Sequence, residues 1–132
     1  MTSKNLLVFG GAFAGIGVGL GAFAAHGLKA QLSAYLLEVF QTGVNYQFIH
    51  ALAILVCAVL LNFSLPTKAR KAFCAAAICF IIGVFCFSGS LYALALTGIK
   101  WFGPITPFGG LLFMVGWALF IFAALQIKED KQ

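Results

Sequence analysis

Apolar positions along this chain come in long charge-free runs, and charged residues are confined to the gaps between them and the ends. Charge-free runs extend from Leu6 to Ala25, Gly43 to Leu61, Ala72 to Leu96 and Phe108 to Ile127. Each is close to the ~20 residues that about 30 Å of hydrocarbon requires. The pattern predicts an all-α membrane protein of four transmembrane helices. What remains between the runs is too short for a soluble domain, and no Ser/Pro-rich linker divides the chain, so residues 1–132 read as a single four-span membrane domain. Lys4 and Ala22-Phe23-Ala24 imitate the basic start and cleavage site of a secretory signal, but the apolar length favours a retained span.

The gap between the first two runs has its own periodicity. At 100° per residue, Leu28, Leu32, Tyr35, Leu36 and Val39 share one side, and Gln31, Glu38 and Gln41 the other. This predicts an amphipathic helix lying in the outer interface between the first and second spans. His26 and Gly27 precede it. Gly27 is expected to permit the bend, and His26, with Glu38 and Gln41, to occupy the headgroup zone.

Charge then sets an orientation. The chain carries 63% hydrophobic and 8% charged residues with a net charge of +5, and a soluble domain of that composition would expose large apolar patches. With four spans, Lys4, Lys68, Arg70, Lys71, Lys128 and Lys131 share one side, against Lys29 and Lys100 on the other. The richer side stays in the cytoplasm, so both termini are expected inside a bacterial inner membrane. The positive charge reads as a topology signal and an attraction to membrane lipids, not as a nucleic-acid footprint. Cys57, Cys74, Cys79 and Cys86 all fall inside predicted spans without a C-x-x-C pair, so they read as small apolar core residues.

Two glycine patterns overlap in the first run. Gly17-x-Gly19-x-x-Ala22 matches the dinucleotide fingerprint literally, but that fingerprint needs a soluble βαβ unit for which there is no room. Gly11, Gly15 and Gly19, with Gly17 and Gly21, place small residues one helical turn apart, which lets another helix approach closely. Helix packing is the reading adopted.

Taken together, "GAFAAHGL", "LEVFQTGVNYQFIHALAIL", "FSGSLYALALTG" and "GPITPFGG" resemble the YgdD-like family of small uncharacterised bacterial inner-membrane proteins. The family's GAFGAHG stands here as GAFAAHG, with Ala24 in place of a glycine. The resemblance covers nearly the whole chain and implies a small multi-span membrane protein, without implying an activity.

These motifs share a depth. Counted from outer ends near Gly43 and Leu96, His50 and Ser90 each lie on the order of 10 Å into the hydrocarbon. Tyr46 is one turn outward of His50, and Ser88 and Tyr92 flank Ser90, so an outer polar cluster of His50, Tyr46, Ser88, Ser90 and Tyr92 is expected. "GPITPFGG" is expected to cover it as an irregular lid, because Pro104 and Pro107 interrupt a regular helix and Gly109-Gly110 leave backbone groups to be satisfied. An ionisable residue at that depth is a candidate site by default. The alternative is a neutral His50 that ties helices together through Tyr46 or the Ser88 to Tyr92 stretch.

Other chemistry is thinly supported. No H-x-x-x-H or E-x-x-H pairing exists, so neither a metal nor a cofactor is expected. Ser88 or Ser90 with His50 could pair a nucleophile and a base, yet no carboxylate at that depth completes the set. On a continuous helix Glu38 stands about 18 Å and roughly 120° from His50. Catalysis is therefore the least favoured class. Two readings stay open: an accessory subunit that docks other membrane helices or copies of itself, and an oligomeric bundle that binds or translocates a small polar molecule, an ion or a lipid.

Overall fold

The computed structural model describes residues 1–129; Lys131, counted above on the inner side, lies outside them. Four helices dominate, α1 (Ser3–Phe23), α2 (Ala34–Leu60), α3 (Thr67–Thr97) and α4 (Ile105–Leu125). All are long and apolar enough to span a membrane. Their ends follow local chemistry. Thr2 and Ser33 cap α1 and α2 by accepting from the N–H groups of Asn5 and Leu36, each at 3.2 Å. Gly98, in the left-handed region at φ 70°, closes α3 with its N–H on the Leu94 carbonyl.

Three local expectations change. The segment from Leu28 to Gln41 is not an independent amphipathic helix. Residues Ala24–Leu28 extend α1 as one π-helical turn, the chain reverses over 29–33, and Ala34 to Gln41 form the first turns of α2. The polar and apolar sides persist, with Gln31, Glu38 and Gln41 exposed and Leu28 buried, although Tyr35 is also exposed. Gly27 is helical, so the bend lies beyond it; its missing side chain leaves room for the Phe23 ring. "GPITPFGG" is no irregular lid either. Pro104 caps α4 and Pro107 sits in its first turn, where an N–H would have no intrahelical acceptor.

Helices pack in chain order. α1 lies on α2, with Gly10 against Leu55, Gly17 against Phe48 and Gly21 against Val44. α3 and α4 interlock ring by glycine: Phe113 covers Gly83, Phe80 covers Gly116, and Gly109 meets the backbone of Phe87. Val44, Phe48 and Leu55 are on one side of α2, and Tyr46 and His50 are on the far side, toward α4. α1 and α4 therefore flank the α2–α3 pair from opposite directions. The loop between α2 and α3 is tied down by Arg70, which donates to the carbonyls of Leu61 and Phe63.

The glycine face of the first span is divided. Gly17 and Gly21 pack on α2, whereas Gly11, Gly15 and Gly19 have no atom within 4 Å of where a side chain would start. Within the chain, then, the Gly11-Gly15-Gly19 stripe is not a contact, and Gly10, outside both expected patterns, is.

Candidate functional site

The polar residues form three separate ties instead of one cluster. In the first, Gln47 donates to the Phe13 carbonyl at 2.8 Å and accepts from the Tyr92 hydroxyl at 2.7 Å, joining α1, α2 and α3. One turn earlier on α2, the Gly43 carbonyl accepts from the Ser88 hydroxyl at 2.7 Å. In the second, the Ser90 hydroxyl sits 2.6 Å from that of Thr106 and donates to the Phe87 carbonyl, joining α3 to the start of α4.

The third tie is centred on His50, which is 3% exposed. Its Nδ1 lies 2.8 Å from the Tyr46 carbonyl, and Trp117 Nε1 donates to its Nε2 at 3.1 Å. A carbonyl can only accept and an indole N–H can only donate. Nδ1 therefore carries the proton and Nε2 the lone pair, which is the neutral ring. The imidazole stacks on Phe113 with centroids 3.6 Å apart and planes 7° apart. Phe80 and Trp117 close the sides. Both ring nitrogens being engaged, His50 links α2 to α4 and leaves no free base.

The register explains why His50 and Ser90 part company. Gly43 contacts Ser88 and Tyr92, while His50 contacts Phe80. His50 is thus roughly 10 Å deeper than Ser88. Aligning the spans at Gly43 and Leu96 misses the first turns of α2, which begins at Ala34, and so shifts every pairing. Tyr46 enters through its carbonyl, on His50, and through its ring, tilted against Phe87 and near-parallel to Phe113.

Above the His50 ring a cleft of about 640 Å³ opens between α2 and α4, lined by Tyr46, Phe87, Phe113, Met114 and Trp117 among others. His26, Glu38 and Gln41 lie outside it, exposed near the turn between α1 and α2. Among the described residues no three His, Cys, Asp or Glu side chains are grouped so as to hold a metal. Sequence reasoning missed Gln47, Thr106 and Trp117. Gln47 has a signal, an amide inside an apolar run one turn from Gly43; Trp117 has none, since only the fold brings it to His50.

Comparison with known proteins follows the same outline. The family model described as "Protein of unknown function (DUF423)" matches residues 20–110. The chain is 38% identical over 129 residues to the UPF0382 inner membrane protein YgdD of Escherichia coli, covering 98% of this chain and 95% of that protein. It is 40% identical over 123 residues to a UPF0382 membrane protein of Staphylococcus aureus, covering 93% and 97%. Against the UPF0382 membrane protein YwdK of Bacillus subtilis the figures are 37% over 123 residues, covering 93% and 98%. No solved structure matches the chain.

Proposed function

The chain belongs to the DUF423 family, and on that premise we propose that it is an accessory subunit of the bacterial inner membrane that docks other transmembrane helices and performs no catalysis. The observation that carries this reading is where the polar groups are used. Among the described residues no buried side-chain nitrogen or oxygen lacks a partner. Catalysis needs a base or nucleophile free to face a substrate, and His50, Gln47, Ser88 and Ser90 are all engaged within the bundle. What is left open faces outward, as on α1, where Gly11, Gly15 and Gly19 would let a second helix approach closely.

Purification in mild detergent tests the reading. The wild-type chain should bring down another integral membrane protein at a fixed ratio. Gly15→Leu should lose that protein, while Val8→Leu, exposed on the same helix, should keep it. A chain that purifies free of other proteins overturns the docking reading. The second reading, a bundle that binds a lipid or another small ligand, rests on the cleft over His50, and phospholipid retained at a fixed ratio without a protein partner would favour it.

The same proposal puts both termini in the cytoplasm, on the six-to-two division of basic residues. Residues 24–38 then lie in the outer headgroup zone, with the exposed side of Glu38 toward water and Gln41 just inside it. An impermeant thiol reagent applied from outside should label Gln31→Cys and not Ser64→Cys, both at exposed turn positions. Ala69 and Ala72, nearer the basic cluster, are buried and unsuitable. Labelling of Ser64→Cys from outside would reverse the orientation.

A further inference from the structure

α2 is covered by α1 on one side and α3 on another, and the side opposite α3 is bare. Gln41, Asn45, Ile49, Leu52, Val56 and Val59 lie along it, all exposed. Their spacing of three and four residues keeps them on one face for five turns. An apolar groove of about 480 Å³, lined by Leu52, Leu55, Val56, Val59 and Leu60, runs beside the inner half.

The aliphatic members need no protein partner, because lipid tails are as apolar as they are. Asn45 does need one. Its carboxamide offers two donors and an acceptor, yet the side-chain hydrogen bonds made from α2 belong to Thr42, Gln47 and His50, and none reaches Asn45 among the described residues. The helix has 27 residues, a rod of ~40 Å against about 30 Å of hydrocarbon, which places Asn45 on the order of 10 Å inside the apolar zone. An amide there without a partner is costly.

Two copies inserted with the same orientation present the same depth of α2 to each other, so Asn45 faces Asn45. Each amide N–H can then donate to the other's oxygen, and both are satisfied. We infer that the chain forms a twofold dimer through this face of α2, with the Asn45 pair as its polar pin. An unrelated helix would need an amide at matching depth; a second copy has one necessarily. Glu38, two turns outward, meets its counterpart in headgroup water, where salt screens the repulsion. The inference goes beyond the docking reading, because it uses a face of α2 and not the glycine stripe of α1.

The test uses full-length chain in phosphatidylcholine vesicles, as two pools carrying donor and acceptor fluorophores. Energy transfer should persist on dilution with lipid. Asn45→Val should weaken association about tenfold, Asn45→Gln should retain most of it, and Leu52→Trp, which adds bulk to the same face, should also reduce it. Both positions are exposed, so helicity and resistance to unfolding should not change in any of the three variants. No transfer in the wild type, or equal transfer in Asn45→Val, overturns the dimer. A monomeric chain that still carries another protein through α1 removes the dimer and leaves the docking reading standing. A dimer that is lost in Asn45→Val and carries no other protein does the reverse.

Discussion

Gly109→Ala should force α4 away from α3 and lower stability by about 1–3 kcal/mol or more, the range for overpacking a tight interior. A Cβ at Gly109 would meet the backbone nitrogen and Cα of Phe87, and backbone, unlike the end of a side chain, cannot swing aside. The rest of the interface would suffer with it, because Phe113 against Gly83 and Phe80 against Gly116 fix the same interhelical spacing. Gly110→Ala is the matched control: its nearest neighbours, on the Phe87 ring, would be at 3.8 and 3.9 Å, which is ordinary contact. Unfolding by SDS titration in mixed micelles reads the difference. If the two variants unfold together, the ring-and-glycine account of the α3–α4 interface is wrong.

The other large effect is expected at Gln47. Gln47→Leu removes the acceptor of the Tyr92 hydroxyl and the donor to the Phe13 carbonyl at once, loosening three helices. Interhelical hydrogen bonds in membranes are worth on the order of 1 kcal/mol each, so a loss of about 2 kcal/mol is expected. Tyr92→Phe should cost less, because it breaks one of the two bonds. In the double variant the costs should fall short of their sum, since the Tyr92–Gln47 bond is counted in both single changes. Strict additivity would mean that the two side chains do not interact in the folded protein.

The site was partly legible. His50, Ser88, Ser90 and Tyr92 stand out as polar residues in apolar runs, and each does make a tie between elements or turns. Their grouping was not legible. His50 belongs with Trp117 and Phe113, which lie in a run that reads only as apolar, and Ser90 belongs with Thr106, in a stretch that reads as a proline-broken lid. The glycines show the same limit. Gly17 and Gly19 look alike in the sequence, yet one lies under Phe48 and the other faces outward.

By itself the sequence determined that there are four spans, their order and the division of charge between their ends. These depend on the transfer of each segment from water to hydrocarbon, a sum over neighbouring residues that can be read locally. Tertiary structure alone decided the register of α2 against α3, the partners of His50 and the side of α1 left bare. Those depend on which surfaces meet across the bundle. In lipid, where burying an apolar side chain against protein gains little over burying it against hydrocarbon, that choice falls to close packing at glycines and to a few hydrogen bonds. Neither is visible until the helices stand side by side.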